Sequence, residues 1–390
     1  MSPLCQTHIT TELLNSPETF YPLRAFICEQ CFLVQLPESV APAEIFNEYA
    51  YFSSYSQSWV DHARRYVDAM VERFGLELKS RVMEIASNDG YLLQHFVARG
   101  IPVLGVEPAN NVAAAALARG IPTVAKFFGM ATAAELLREF GRPDLLIGNN
   151  VLAHVPNLND FVAGMKFVLA PRGVITMEFP HLRRLMIGNQ FDTIYHEHFS
   201  YFSFYVVQRV FANHGLAIFD VDEIPTHGGS LRIYARHDEC PSIPVSHRVQ
   251  ALLSQELREN VASLSGYEGF AERVRLTKRK LLTFLIEAKC AGKQIVGYGA
   301  PGKGNTLLNY CGIRSDFLDY TVDANPYKQG KFTPGTHIPI HPPAKIRETR
   351  PDYVLILPWN LRDEIVQTAR YVREWGGKFV VPIPEVAVIA

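Results

Sequence analysis

Two stretches of the chain alternate short apolar runs with helix-length segments, and this alternation limits the possible folds more than any other feature. The first stretch begins near residue 80 and the second near residue 294. Short apolar runs are typical of strands buried on both faces, and helices between successive runs place such strands in parallel. We therefore predict an α/β chain with two parallel sheets, each covered by helices on both faces.

The two stretches divide the chain into three parts. We predict strands at residues 82–86, 103–106, 143–147 and 173–177 in the first stretch, and at 294–297, 320–322, 353–357 and 378–381 in the second. Residues 57–76 carry apolar side chains at helical spacing before the first strand. The expected parts are an N-terminal module at 1–56, a central domain at 57–240, and a C-terminal helical connector with a smaller α/β domain at 241–390.

The composition argues against several kinds of partner. The 38 Lys and Arg residues balance 39 Asp and Glu residues, so bulk charge would not hold the chain to nucleic acid or to an anionic membrane. No apolar run reaches the roughly 18 residues that a membrane span needs, and the N-terminus lacks the layout of a signal peptide. Six scattered cysteines do not predict a disulfide framework. We expect a cytoplasmic enzyme that is a monomer or a weak oligomer.

Polar and small residues follow the first two predicted strands. Glu84 and Ala86 lie at the end of the first predicted strand, Asn88 and Gly90 follow in the turn, and the second strand ends at Glu107. Ligands of open parallel sheets bind beyond the carboxyl ends of the strands, and an acidic residue at the end of the second strand suits a ribose diol. These residues predict a nucleoside-containing cofactor, with a tight turn and a surface carboxylate as the alternative.

The next two strands also end in polar residues. Asn149, Asn150 and His154 follow the third strand, and Glu178 and His181 follow the fourth. Polar groups that recur at successive strand ends meet at one edge of the sheet, where they could form a binding site. The alternative for His154 is a buried histidine whose hydrogen bonds are satisfied within the core.

These motifs together resemble one family, the S-adenosylmethionine-dependent C-methyltransferases that act on nucleotide-linked ketodeoxysugars. The similar segments lie at residues 84–90, 105–108, 149–156, 191–199, 226–230 and 297–302. The resemblance covers nearly the whole chain from about residue 20. It implies a central Rossmann-like class I methyltransferase domain, an N-terminal zinc-binding module and a C-terminal Rossmann-like domain. The implied cofactor is S-adenosylmethionine, and the implied partner is a nucleotide-sugar substrate.

Methylation of a carbon next to a ketone requires a base and stabilisation of the resulting enolate. Histidine suits the base because its pKa lies near neutrality. The resemblance assigns the base to His198, a substrate- or proton-holding role to Tyr195 and a positioning role to Glu197. The resemblance also implies that Asn150 and His154 contact the sugar and its keto group. Because the two residues are four positions apart, we expect them to lie on the same face of a helical turn.

Further substrate contacts are expected around this centre. The resemblance places an active-site tyrosine near the end of the N-terminal module, where Tyr49 and Tyr51 are both candidates. Glu178 and His181 at the fourth strand end and His227 in a Thr-His-Gly-Gly-Ser segment complete the predicted substrate side.

The C-terminal stretch contains a rival motif. Residues 297–302 match the dinucleotide fingerprint between a strand and a helix, and Asp323 ends the next strand. Taken alone, this pattern predicts an NAD-dependent oxidoreductase, although Pro301 stiffens the loop and Lys303 favours a phosphate. The resemblance implies instead that Lys303, Asn305 and the loop backbone bind the diphosphate or substrate side. A third interpretation is that the glycines only pack a helix against its strand.

Two groups of residues raise the question of a metal. Cys28 and Cys31 have the spacing of half a zinc site, and Cys5 with His8 could supply the other half. A reduced thiol pair is the alternative. Histidines 196 and 198 would share a face if residues 195–198 formed a strand, which would suit two metal ligands.

Overall fold

The computed structural model describes residues 1–46, 49, 52–241 and 243–389. Within these residues the strands form three sheets. The N-terminal part contributes β1 (Phe26–Ile27), β2 (Val34–Gln35) and helix α1 (Pro42–Phe46). Tyr51, one of the two predicted active-site tyrosines, lies outside the described residues.

Helix α2 (Gln57–Phe74) leads into the central sheet. It begins after Ser56, whose side chain accepts a hydrogen bond from the backbone N–H of Trp59, and it ends at Gly75 in the left-handed conformation. Both ends therefore carry the capping residues expected of a stable helix. The helix buries one apolar face, formed by Ala63, Tyr66, Val67 and Met70.

The central sheet has seven strands in the order β5-β4-β3-β6-β7-β10-β9. The strands that follow α2 are β3 (Val82–Ile85), β4 (Val103–Val106), β5 (Thr123–Val124), β6 (Leu145–Asn149), β7 (Val174–Pro180), β8 (Ser200–Tyr201), β9 (Leu216–Ile224) and β10 (Ser230–His237). The helices between them are α3 (Leu93–Val97), α4 (Asn110–Ala118), α5 (Met130–Glu139), α6 (Leu158–Val168), α7 (Leu182–Ile187) and α8 (Phe204–Asn213). Strands β3 to β7 are parallel, whereas β10 runs antiparallel to both of its neighbours.

The C-terminal part forms a six-stranded sheet in the order β13-β12-β11-β14-β15-β16. Helices α9 (His247–Arg258) and α10 (Phe270–Cys290) precede it. Its strands are β11 (Ile295–Tyr298), β12 (Thr321–Val322), β13 (Ile340–His341), β14 (Tyr353–Ile356), β15 (Lys378–Val381) and β16 (Ala387–Ile389). Its helices are α11 (Gly302–Cys311), α12 (Lys345–Thr349) and α13 (Arg362–Thr368). Only the pairing of β15 with β16 is antiparallel within the described part of this sheet.

The third sheet joins the N-terminal part to the central part. Strand β2 pairs with β1 on one side and with β8 on the other, and both pairings are antiparallel. Residues 195–198 directly precede β8, so the N-terminal hairpin lies beside the segment that holds the predicted base.

The predicted α/β class with two Rossmann-like sheets is confirmed. Strands β9 and β10 were not predicted, because their polar and aromatic residues do not form a continuous apolar run. No helix in the described ranges is long and apolar enough to cross a bilayer.

Candidate active site

A cavity of about 650 Å³ opens at the carboxyl ends of β3, β4 and β6. The strand order reverses between β3 and β6, which is where parallel sheets bind their ligands. The N-terminal part contributes Phe46 to the wall, the central sheet contributes Asn149, and the C-terminal part contributes Lys303. All three parts of the chain therefore enclose one site.

One end of the cavity is built around Glu107. Its two carboxylate oxygens accept hydrogen bonds from the backbone N–H groups of Asn88, at 3.0 Å, and of Ala109, at 2.9 Å. Burial raises the pKa of Glu107, and these two hydrogen bonds oppose the rise. Ala86 and Asn88 line the cavity in left-handed conformations, with φ of 55° and 50°. The loop thus fixes a buried acceptor at the place predicted for a ribose diol.

Asn149 adds an unsatisfied amide to this end. It lies at the last position of β6, is 8% exposed and lines the cavity. Neither its side-chain oxygen nor its nitrogen has a hydrogen-bond partner among the described residues. Buried polar groups are normally hydrogen-bonded, so an orphaned amide in a cavity wall is suited to a ligand. Together with Glu107, it fits a nucleoside-containing cofactor.

Glu84 and Gly90 were predicted to touch the cofactor, but neither is among the residues that line the cavity. Burial raises the pKa of Glu84 well above its usual value, and no described group is hydrogen-bonded to its carboxyl oxygens. Gly90 has φ of 78°, and a Cβ there would lie 2.8 Å from Cγ1 of Ile121. Packing against Ile121 therefore accounts for this glycine.

His198 also lines the cavity. Its Nδ1 is 2.9 Å from the carbonyl oxygen of Thr193. Since a carbonyl oxygen can only accept, Nδ1 carries the proton and Nε2 keeps its lone pair. Burial lowers the pKa of His198 well below its usual value, and the nearby His154 adds to this effect. The imidazole is therefore neutral at physiological pH, which is the form a base requires.

Three other predicted residues surround His198. The ring centroid of Tyr195 lies 4.2 Å from that of His198, and the ring of His154 lies 4.8 Å away. Asn150 also lines the cavity, at φ of 54°. The expected shared helical face is wrong, because Asn150 precedes the short 3-10 helix Leu152–His154 rather than lying on it. Both side chains nonetheless reach the same cavity.

Glu197 faces away from the cavity toward the N-terminal part. Its carboxylate accepts a hydrogen bond from the Tyr49 hydroxyl at 3.2 Å and from the Cys5 thiol at 3.5 Å. Burial raises the pKa of Glu197 to about 7. Tyr49 itself lines the cavity, so it connects this carboxylate to the site.

Glu178 and His181 lie outside the residues that line the cavity. Burial favours a raised pKa for Glu178, but His62 and Arg232 bind its two oxygens and bring the pKa below its usual value. His181 is buried, and its Nε2 lies 2.5 Å from a carboxylate oxygen of Glu256 in α9. The structure thus gives both residues partners within the protein.

His227 and Lys303 complete the wall on the C-terminal side. His227 has φ of 54°, and its ring centroid lies 5.3 Å from that of Trp59. Burial and the charge of Lys303 lower the pKa of His227 to about 4. Asn305, by contrast, donates its amide to the carbonyl oxygen of Cys5 at 2.6 Å and is fully buried.

Comparisons with known proteins agree with this arrangement. Residues 59–221 match a family described as "Methyltransferase domain", residues 225–384 match "C-methyltransferase C-terminal domain", and residues 1–46 match "Putative zinc binding domain". The chain is 38% identical over 376 residues to the C-methyltransferase NovU of Streptomyces niveus, which covers 96% of this chain and 89% of that protein.

The chain belongs to the family of S-adenosylmethionine-dependent C-methyltransferases.

Similar solved structures include two methyltransferases. The magnesium protoporphyrin IX methyltransferase of Synechocystis PCC 6803, with bound SAM, is 15% identical, has a TM-score of 0.34, and covers 46% of this chain and 80% of its own. An S-adenosylmethionine-dependent methyltransferase of Clostridium acetobutylicum ATCC 824 is 10% identical, has a TM-score of 0.37, and covers 46% of this chain and 92% of its own.

The dinucleotide fingerprint of this C-methyltransferase is covered by its own N-terminus. A Cβ on Gly302 would lie 2.9 Å from the Cys5 Sγ, and His8 hydrogen-bonds the carbonyl oxygen of Ala300. Asp323, the expected ribose acceptor, instead accepts from the backbone N–H of Ala300 at 2.8 Å and from Lys328. The geometry therefore does not support the oxidoreductase alternative.

The structure does not assemble a zinc site from the predicted ligands. Cys5 contacts Glu197, and His8 contacts the glycine loop, whereas Cys28 and Cys31 lie in the turn between β1 and β2. No group of three or more potential metal ligands occurs within residues 1–46, 49, 52–241 and 243–389. The donors present therefore do not fit a four-ligand zinc centre.

The His-Glu-His metal alternative is also unsupported. Residues 195–198 form a turn rather than a strand. Nε2 of His196 lies 3.1 Å from the carbonyl oxygen of Pro22, whereas His198 bonds Thr193. The two rings therefore do not share a face.

Several residues of the cavity wall were not predicted from the sequence. They include Phe46, Trp59, Tyr91, Phe127, Phe128, Thr193 and Lys328. Trp59 lies in α2 at a position that fits the helical spacing of its apolar side chains, which predicts packing rather than a place in the cavity wall. Because these residues come from separate elements, no local motif could have brought them together.

Proposed function

We propose that this C-methyltransferase methylates a carbon next to the keto group of a nucleotide-linked deoxysugar, with His198 as the base. The observation that carries the proposal is the hydrogen bond from His198 Nδ1 to the Thr193 carbonyl, which leaves Nε2 unprotonated in the cavity. Enolate formation requires a neutral base of this kind, and the relative NovU is itself a C-methyltransferase.

Glu107, Asn88 and Asn149 would hold the cofactor at the strand ends. S-adenosylmethionine supplies an electrophilic methyl group when it is bound. The buried carboxylate of Glu107 suits a ribose diol because it is held by two backbone N–H groups and retains further lone pairs. The unpartnered amide of Asn149 offers both a donor and an acceptor to the same ligand.

His198 would remove the proton from the carbon next to the ketone. Nε2 takes the proton, and the electron pair of the broken C–H bond moves toward the carbonyl oxygen to give an enolate. The carbon of this enolate is then the nucleophile for the methyl group. The new C–C bond would replace the methyl–sulfur bond, whose electron pair would stay on sulfur in the leaving S-adenosylhomocysteine. Aromatic side chains and the C-terminal loop line the wall of the same cavity.

Tyr195, Asn150 and His154 are placed to stabilise the enolate oxygen. Burial raises the pKa of Tyr195 well above its usual value, so its hydroxyl stays protonated and can donate a hydrogen bond. Asn150 offers an amide donor from the same wall. Donors fixed in a dry cavity stabilise developing negative charge more strongly than donors in water.

The nucleotide part of the substrate would lie on the C-terminal side. Lys303 and Lys328 both line the cavity there, and cations suit a diphosphate. His227 and Tyr49 also line the cavity. Glu197 would act indirectly, because its hydrogen bonds to Tyr49 and Cys5 fix the turn that carries His198.

The proposal is tested by incubating the purified protein with S-adenosylmethionine and a panel of nucleotide-linked ketodeoxysugars. Mass spectrometry should detect a product 14 Da heavier than one of them. The His198→Asn variant should form about 10²- to 10⁴-fold less product, the usual loss for a general base. It should still bind S-adenosylhomocysteine normally, because His198 is not among the residues proposed to hold the cofactor. Near-normal turnover by this variant would overturn the assignment of the base.

A further inference from the structure

The proposed chemistry leaves one buried carboxyl group near the base without a role. Asp192 is the middle residue of the 3-10 turn Phe191–Thr193 and is 0% exposed. Its Oδ2 accepts a hydrogen bond from the indole N–H of Trp359 at 2.7 Å. Its Oδ1 has no partner among the residues described. A buried carboxylate with a free oxygen is costly unless a cation lies close to it.

Lys303 is a cation that acts on this carboxyl. Burial raises the pKa of Asp192 to about 7, and the charge of Lys303 opposes the rise. The Nζ of Lys303 lies 4.7 Å from the centroid of the Trp359 ring and donates to the side-chain oxygen of Asn360 at 2.8 Å. The same indole is therefore bonded to Asp192 at its N–H and faces Lys303 with its ring. Burial lowers the pKa of Lys303 to about 8, whereas the charge of Asp192 raises it. Lys303 lines the cavity, but Asp192 does not.

Trp359 has little freedom to move in this arrangement. A Cβ on Gly228 would lie 2.6 Å from Cη2 of the indole, so the ring packs directly on the glycine backbone. Phe191 packs against Tyr310 of α11, the helix that also carries Lys303, with 5.2 Å between ring centroids. These contacts fix the C-terminal part against the turn that holds Asp192.

The same turn also orients the proposed base. Thr193 follows Asp192, and its carbonyl oxygen accepts the hydrogen bond from Nδ1 of His198. Three consecutive residues thus contact α11, Trp359 and His198. The turn sets the position of the cation relative to the base.

We infer that Asp192 is a positioning residue that, through Trp359, holds the Lys303 side chain in its charged form at the cavity wall, facing an anionic group of the substrate. The identity of that group as a diphosphate rests on the proposed function. Asp192 raises the pKa of Lys303, and the charge of Lys303 lowers the pKa values of His198 and His227. Near pH 8 both histidines are neutral and the Asp192 carboxyl, with its pKa of about 7, is mostly ionised, so Asp192 supplies the negative charge.

The Asp192→Asn variant keeps the shape and the acceptor for Trp359 but removes this charge. The pKa of Lys303 then falls, and its ammonium form is lost at lower pH than in the wild type. If the pKa of Lys303 moves from about 8 down by about one unit and only the ammonium form binds, diphosphate affinity falls roughly eightfold at pH 8.5. At pH 6.5 the affinity changes little, because Lys303 is mostly charged in both proteins and the Asp192 carboxyl is mostly protonated in the wild type. A purely structural defect would weaken binding equally at both pH values.

The pairing itself can be tested without any substrate. Intrinsic tryptophan fluorescence of the full chain is titrated from pH 6 to 10, since Trp359 is one of three tryptophans and faces the titrating ammonium. We expect an inflection near pH 8 that is absent in Trp359→Phe and in the double variant Asp192→Asn/Lys303→Met. Asp192 also titrates, near pH 7, beside the same indole, so in Asp192→Asn the remaining inflection comes from Lys303 alone and should lie at lower pH. An unmoved inflection in Asp192→Asn overturns the inference.

The substrate-facing role is tested by calorimetry with thymidine diphosphate and uridine diphosphate at pH 6.5 and 8.5, with S-adenosylhomocysteine as the control ligand. The inference predicts a pH-dependent loss of diphosphate affinity in Asp192→Asn and unchanged S-adenosylhomocysteine affinity. Equal diphosphate affinity in wild type and variant at pH 8.5 overturns this role. If the wild type binds neither diphosphate, the proposed substrate class fails, whereas a shifted fluorescence inflection still supports the positioning of Lys303 by Asp192.

Discussion

Replacement of Glu107 by glutamine should weaken cofactor binding and also destabilise the fold. Both carboxylate oxygens accept backbone hydrogen bonds, from Asn88 at 3.0 Å and from Ala109 at 2.9 Å. Glutamine has one acceptor oxygen, so one of these N–H groups would face an amide N–H group instead of an acceptor. Leaving a buried donor unpaired costs about 1–3 kcal/mol of the free energy of unfolding.

The effect on the cofactor follows from the charge of the acceptor. A hydrogen bond to a charged group contributes about 1.5–3 kcal/mol, so loss of one ribose contact corresponds to an affinity about 10- to 150-fold lower. Calorimetric titration with S-adenosylhomocysteine measures this change directly. Glu77→Gln, on the exposed loop after α2, is the matched control and should bind normally. A Glu107→Gln protein that is folded and binds within twofold of wild type would refute the assigned role.

Three further predictions concern the loop, the turn and the glycine fingerprint. In urea titrations, Gly90→Ala should lower the free energy of unfolding more than Gly120→Ala. Both glycines have positive φ, but only a Cβ at position 90 would contact Ile121. Equal losses of free energy would show that the Ile121 contact is unimportant. The pKa of Glu197 is raised from 4.5 to about 7 in the folded protein, so its contribution to stability is complete below pH 4.5 and is lost as the pH rises through 7. The free energy of unfolding should therefore decrease less between pH 5 and pH 8 in Glu197→Gln than in the wild type. The same pH dependence in both proteins would contradict the raised pKa of Glu197. Calorimetry with NAD should detect no binding, because residues 5–8 cover the fingerprint loop, and a micromolar Kd would show that this cover opens.

The fold was predictable because its buried strands are continuous apolar runs. Strand β4 was predicted at its observed bounds, and β15 likewise, since both are buried and flanked by turn residues. Strands β9 and β10 carry polar residues that pair across the sheet, including Asp222 with Tyr234, and such pairs leave no apolar run in the sequence.

The candidate site was predictable where it depends on strand ends. Asn149 and Glu107 follow buried strands, and the topology of a parallel sheet brings such positions together. The resemblance contributed His198, whose turn has no regular secondary structure to reveal it. The structure brings these residues to one cavity, and their individual roles stay proposals.

The remaining features depend on contacts between distant parts of the chain. His181 bonds Glu256, 75 positions away, and Asp192 bonds Trp359, 167 positions away. Cys5 lies against the glycine loop nearly 300 positions later. Local spacing carries no information about such pairs, so sequence patterns could not separate a residue facing the cavity from one paired inside the protein.

Exchange of the substrate proton with solvent tests the central claim most directly. The protein is mixed in D₂O with S-adenosylhomocysteine and the nucleotide-linked ketodeoxysugar that it methylates, and proton NMR follows the signal of the C–H group next to the ketone. If Nε2 of His198 removes this proton, the wild type should exchange it for deuterium, and His198→Asn should do so about 10²- to 10⁴-fold more slowly. Equal exchange rates in the two proteins would show that another group forms the enolate.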